Sequence, residues 1–112
     1  MKKIKGSEKE MKKTSFYIGL NDGESKVQEI STQNAKQIIE NIFYELTDGA
    51  TIYSARGIYK HNSGEKVQEN TIIVECFDID EKDIYAICEY LKKALNQETI
   101  AVNIQEINSM FI

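Results

Sequence analysis

Proline is absent from these 112 residues, arginine and histidine occur once each (Arg56 and His61), and there are two cysteines. A chain without proline loses no backbone donor to it, which fits continuous helices and strands. Cys76 and Cys88, twelve residues apart, fall on apolar faces of an expected strand and an expected helix. They read as reduced packing residues, because a functional thiol wants a neighbouring cation or histidine. With one histidine elsewhere they make no zinc set. No apolar run reaches the roughly 18 to 20 residues that span a bilayer. The lysine-rich start is not followed by the apolar stretch of a secretory signal. The chain is read as cytoplasmic, with no membrane partner. It also contains no nucleophile elbow, phosphate loop, metal-ligand cluster or evident acid–base pair. The expectation is therefore no enzyme, with no catalytic residue, metal or cofactor.

Charge is divided unevenly. Residues 1–13 hold six lysines against Glu8 and Glu10, a net of +4; since the whole chain is −4, the remainder is −8. So acidic a domain repels a phosphate backbone, which argues against direct nucleic-acid binding. The expectation for 1–13 is a basic, disordered tail, and for 14–112 a single domain large enough to bury a core of its own. Met11-Lys12-Lys13 also resembles a second translation start.

Within that domain, Ser15 to Leu20 alternates as a half-buried strand, with Phe16, Ile18 and Leu20 on one face. Asn21-Asp22-Gly23 breaks it. Ser31 or Thr32 caps a helix whose Ala35, Ile38, Ile39, Ile42, Phe43 and Leu46 recur at helical spacing, stopping by Asp48-Gly49. A strand through Arg56 follows, a turn at His61-Asn62-Ser63-Gly64, and a strand from Lys66 to Phe77: an antiparallel hairpin. Asp80, with Asp83 three residues on like a capping box, opens a second helix carrying Ile84, Ile87, Cys88, Leu91 and Leu95. A last strand has Ile100, Val102 and Ile104 inward. The order β-α-β-β-α-β predicts an α+β, ferredoxin-like domain, a four-stranded antiparallel sheet with two helices on one face.

For the second strand, Ala55 and Gly57 suggest close helix packing with Tyr53 and Tyr59 around it, while burying Arg56 and Lys60 unpaired would be costly. This predicts Arg56 and Lys60 on the open face, together with Tyr17, Ile58, Glu69, Thr71, Ile73, Glu75, Ala101, Asn103 and Gln105. Arg56 then has two readings: a guanidinium fork for phosphate or carboxylate, with Tyr17 and Lys60 beside it, or a cross-strand ion pair with Glu69 or Glu75. His61 is a possible base or a plain turn residue. The acids at 78, 80, 81 and 83 coincide with a helix start and lack calcium-loop spacing. An RNA-stacking platform is disfavoured by charge and by the missing glycine-aromatic pattern.

Phe16-Tyr17-Ile18-Gly19-Leu20, the run Asp48-Gly49, Thr51, Ala55, Gly57, Tyr59 and Lys60, and Gln97-Glu98-Thr99 before the last strand together resemble a family of small bacterial and phage domains of unknown function. The resemblance covers Ser15 to about Ile104 and implies the ferredoxin-like fold. The chain departs from the family in lacking a proline before the Asp-Gly turn, a tryptophan at Tyr59 and a lipobox cysteine. Its short, acidic, lysine- and isoleucine-rich style is similar to phage or mobile-element versions.

The expectation is thus a non-enzymatic binding protein of a phage or mobile element that inhibits a bacterial defence system in the host cytoplasm. It would sequester a small anionic, nucleotide-like ligand with Arg56, Lys60, Tyr17, His61 and Asn103, or dock its acidic surface on a basic host defence protein. A homodimer or higher homo-oligomer is expected, through the open sheet face or the apolar Met110-Phe111-Ile112 end. The alternatives are a small dimeric ferredoxin-like enzyme and an assembly-only structural protein.

Overall fold

In a computed structural model that describes residues 8–112, the elements follow the predicted order: β1 (Glu8–Gly19), α1 (Thr32–Leu46), β2 (Thr51–Lys60), β3 (Lys66–Phe77), α2 (Glu81–Leu95) and β4 (Ala101–Met110). The sheet is antiparallel in the order β2-β3-β1-β4, the ferredoxin-like arrangement. Side chains close both ends of α1. Ser31 Oγ accepts the Asn34 N–H at 3.2 Å at the start of α1, and the Thr47 hydroxyl donates to the Phe43 carbonyl at its end, satisfying groups left over by the helical ladder. Asp80 is the N-cap of α2, but its side chain makes no capping bond, contrary to the capping-box expectation. Glu81 and Asp83 in the first turn and Lys92 and Lys93 in the last still complement the helix dipole.

One row of side chains crosses the whole sheet: Val102 opposite Phe16, Phe16 opposite Val74, Val74 opposite Ile52. With Ile18 and Ile72 it forms the floor of the core. The roof is Ala35, Ile39 and Phe43 of α1 and Ile84, Ile87, Leu91 and Leu95 of α2. Phe16 and Phe43 meet edge to face at 5.0 Å between ring centroids.

Two expectations change here. The basic segment is not all tail: residues 8–13 belong to β1 and pair with β4, Glu8 standing opposite Met110, so the ladder reaches the first residue of the apolar C-terminal end and leaves Phe111 and Ile112 beyond it. The expected disorder of residues 1–7 lies outside the described residues. The faces of β2 are also the reverse of those predicted. Because Ile52 pairs with Val74, the face shared by Ile52, Ser54, Arg56, Ile58 and Lys60 is the helix side, and Tyr53, Ala55, Gly57 and Tyr59 lie on the open face. The assumed burial cost does not arise, because β2 is an edge strand whose second half the helices leave uncovered; Ile58 is 70% exposed.

Phe43→Ala should cost about 3–5 kcal/mol, read as a lower urea midpoint with unchanged slope. A loss below about 1 kcal/mol would mean that the aromatic pair does not anchor α1.

Candidate functional site

β1 and β2 finish, and β3 and β4 begin, at one end of the sheet, where three connections gather: the loop after β1, the His61–Glu65 hairpin turn and the turn between α2 and β4. On the open face they border a solvent-open pocket of about 700 Å³. Its floor is Tyr17, Gly57, Tyr59, Glu69, Thr71 and Ala101; its walls are Asn21, Asp22, Gly23 and Lys26 from the loop, His61 from the hairpin and Gln97, Glu98 and Thr99 from the turn.

The loop is held by the turn. Asp22 Oδ2 accepts the N–H groups of Glu24 and Ser25 at 3.0 and 3.1 Å, and Asn96 Nδ2 donates to both Asp22 oxygens at 2.9 and 3.0 Å. Led by the Asn96 contact, these bonds hold the Asp22 carboxyl below its ordinary value. The Gly23 N–H donates to the Asn96 carbonyl at 2.7 Å. Lys26, in the left-handed region at φ 66°, turns its ammonium to the Gly23 carbonyl and to Glu98 at 3.4 Å.

Glu69 stands out. Its register partner is Gly57, and its carboxylate lies over Gly19, where a Cβ would collide with it. A Cβ on Gly57 would come within 2.9 Å of the Thr71 hydroxyl oxygen and 3.5 Å of the Glu69 side chain. Two glycines on flanking strands therefore make the seat in which this carboxylate rests. Burial raises its pKa, and a hydrogen bond from the Asn21 N–H opposes the rise. Among the described residues it makes no ion pair: Lys13 takes Glu75, Lys26 takes Glu98 and Lys92 takes Glu89. The pocket thus holds a partly desolvated carboxylate that no cation pairs with among the described residues.

The residues singled out in the sequence are divided by this geometry. Tyr17 and His61 line the pocket, His61 meeting Tyr59 edge to face at 5.4 Å. Arg56 and Lys60 are on the other face of β2. The Arg56 guanidinium donates to Gln68 Oε1 at 2.8 Å, so neither the anion-binding set nor the ion pair with Glu69 or Glu75 is assembled. Asn103 is on the open face opposite Ser15, outside the pocket lining. In the sequence Glu69 reads as an open-face residue and a possible ion-pair partner for Arg56. The signal for its role, a glutamate opposite one glycine and beside another, becomes visible only when the strands are paired in register. Among the described residues no three His, Cys, Asp or Glu side chains form a metal-ligand set, and no helix is long and apolar enough to cross a membrane.

No protein-family model and no curated protein matches the chain. Among solved structures, a phage SAM lyase in complex with S-methyl-5'-thioadenosine matches with a TM-score of 0.64 at 20% identity, over 99% of this chain and 95% of that one. The phage SAM lyase in its apo state gives 0.63 at 18% identity, over 99% and 96%. CutA from Synechococcus elongatus gives 0.57 at 11% identity, over 90% and 80%. What is shared is the fold. The expectation that the chain is not an enzyme does not stand: the fold it shares over 99% of its length with the first two of these is one that an enzyme uses.

Glu69→Gln should stabilise the protein at neutral pH. A carboxyl whose folded pKa is raised contributes stability that is present below its unfolded value and lost as pH rises through the folded one. The melting temperatures of wild type and variant should therefore converge below about pH 4.5, the ordinary value, and separate above it in favour of the variant. A variant less stable at pH 7 than at pH 4, relative to wild type, would contradict the burial argument.

Proposed function

We propose that the protein is a lyase acting on S-adenosylmethionine, produced by a phage or mobile element and directed against a bacterial defence system in the host cytoplasm. One observation carries the reading: the unpaired, partly desolvated Glu69 carboxylate on the floor of a pocket flanked by Tyr17 and Tyr59. An anion in that state gains most from a cation, which offsets the desolvation it already bears. S-adenosylmethionine has two cationic centres, a sulfonium and an α-ammonium, beside a flat nucleoside suited to aromatic contact. The likeness in fold to a SAM lyase supports the same reading from a different side.

The reaction needs no added reagent. The bond between the sulfonium sulfur and the γ-carbon breaks, and its electron pair leaves on sulfur, which becomes the neutral thioether of S-methyl-5'-thioadenosine. The substrate's own carboxylate oxygen forms the new bond to the γ-carbon and closes a lactone. Positive charge on sulfur and negative charge on the carboxylate vanish together, so a pocket poorer in water than bulk solvent favours the step. In this scheme Glu69 holds the α-ammonium, which keeps its charge throughout, and leaves the carboxylate free to attack.

Purified protein mixed with S-adenosylmethionine should release S-methyl-5'-thioadenosine, followed by chromatography with mass detection. Glu69→Ala should lower kcat/KM roughly 10- to 100-fold, the range set by one charge-assisted contact of about 1.5–3 kcal/mol. Wild-type protein that neither binds nor cleaves S-adenosylmethionine would overturn the proposal. Binding without product would remove the lyase step.

The pocket opens toward a row formed by Ala101, Tyr17, Ile73 and Tyr53 across all four strands of the open face, with Tyr17 and Tyr53 still 38% and 42% exposed. We infer that a second copy of the chain covers this row, making the protein a homo-oligomer. Light scattering at micromolar concentration should give at least twice the monomer mass, and Tyr53→Lys should lower it. A monomeric wild type would sink the inference.

A further inference from the structure

β2 and β4 are the two edges of the sheet. Each is ten residues long and keeps an unbroken register with its one neighbour, so no bulge twists either edge away. Among the described residues, no backbone group of residues 51–60 or 101–107 bonds to the main chain outside those ladders. An edge of that length, with donors and acceptors unspent, is a template for another strand.

The side chains point to which strand. Arg56 and Lys60 are the charged residues of β2, and Glu106 is that of β4. Two β2 edges would bring like charges together, and so would two β4 edges, whereas β2 against β4 brings opposite charges together. All three lie on the helix side of the sheet, Arg56 and Lys60 in step with Ile52 and Glu106 in step with Val102. On that side each edge also leaves a large apolar residue uncovered, Ile58 at 70% exposure and Ile104 at 53%. An antiparallel pairing with Arg56 opposite Glu106 sets Ile58 opposite Ile104, Ile52 opposite Met110 and Lys60 opposite Val102. One register thus joins the charges, covers both isoleucines and uses nearly the whole of both strands. The Arg56 guanidinium donates to Gln68 and has further donors for a carboxylate. Lys12 is the register partner of Glu106 within the chain, and among the described residues the two make no ion pair.

We propose that copies of the chain join head to tail, the β2 edge of one lying antiparallel to the β4 edge of the next, with Arg56 opposite Glu106 of the partner subunit. The interface is heterologous: each copy offers β2 to one neighbour and β4 to another. Tyr53 and Ala101 share a row within one sheet, Arg56 lies three residues past that row and Glu106 five short of it, so neighbouring copies are displaced by eight residues. That displacement lays the tip of the β2–β3 hairpin beside the far end of the β1–β4 ladder. Both are two-stranded there, a state with little stability of its own. The contact is separate from the covering of the open-face row and takes nothing from the lyase reading.

The experiment is sedimentation of the full chain at micromolar concentration in wild type, Arg56→Glu, Glu106→Arg and the double reversal. Wild type should run as a multimer. Each single reversal should raise the dissociation constant about tenfold or more, since like charges then face each other, and the double reversal should recover most of that loss. A monomeric wild type, single reversals without effect, or a double reversal no tighter than the singles would overturn the proposal. Should the reversed chains fail to fold, Ile58→Cys combined with Ile104→Cys decides. Within one chain these positions lie on opposite edges, about 14 Å or more apart, beyond the reach of a disulfide. Oxidation should therefore give covalent multimers on a non-reducing gel, beyond those of wild type or either single variant, and their absence would refute the register. Loss of assembly in Tyr53→Lys, with no effect of the reversals and no cross-link, would leave the open-face contact standing and the edge pairing refuted. The predicted cross-link in a protein that does not cleave S-adenosylmethionine would support the edge pairing and fail the lyase reading alone.

Discussion

Phe16 stands opposite Val74 on one side and Val102 on the other, and nearly everything else in the molecule depends on that register. Side chains alternate across a sheet with a period of two, so a slip of one residue in any strand carries its whole apolar set to the wrong face. With Phe16, Val74 and Val102 aligned under the helices, Ile52 of the edge strand is drawn into the same row. The opposite parity then commits Tyr17, Ile73, Tyr53 and Glu69 to the open face. Core and pocket are the two outcomes of one pairing.

That pairing also explains why a carboxylate can rest where it does. Gly19 and Gly57 occupy open-face positions on the strands flanking β3, and their missing side chains leave a seat between neighbouring strands for Glu69. A carboxylate lying flat on a sheet loses water along one side, which raises its pKa. The loop and turn then wall it in, held together by Asp22 with Asn96 and by Asn21 with Gln97. Glycine in a strand interior weakens the strand; here it also provides the space that a charged group needs to stand close to the backbone.

Much of the architecture was legible from local pattern. The helical spacing of Ala35, Ile39 and Phe43, the hairpin turn at His61 to Gly64 and the alternation in β1 each rest on residues near one another in the chain; the helix and the turn appear where expected, and the alternating residues lie in β1, which starts earlier. The faces of β2 were not legible, because Ala55, Gly57 and two tyrosines suit a helix contact as well as they suit a seat for a carboxylate. The choice turned on the cost of burying Arg56, and that cost vanishes on an edge strand that the helices do not cover. Residues 8–13 looked like a solvated tail because their charges mask the ladder that β4 supplies. Gln97 was noticed only as part of a motif. Its bond to the Asn21 carbonyl, 76 positions earlier, is one that no local pattern reveals.

The tie between loop and turn has a bearing on how the molecule assembles. β1 is an inner strand, flanked by β3 and β4, and the bonds that wall the pocket join residues 72 to 76 positions apart. Closing so long a stretch of chain costs entropy that only the finished sheet returns, and topologies dominated by distant pairings fold slowly. The helices and the β2–β3 hairpin can form from neighbouring residues alone. The pocket cannot: it becomes whole only when the fourth strand docks, so a partly folded chain, however much secondary structure it has gained, has no place for a ligand.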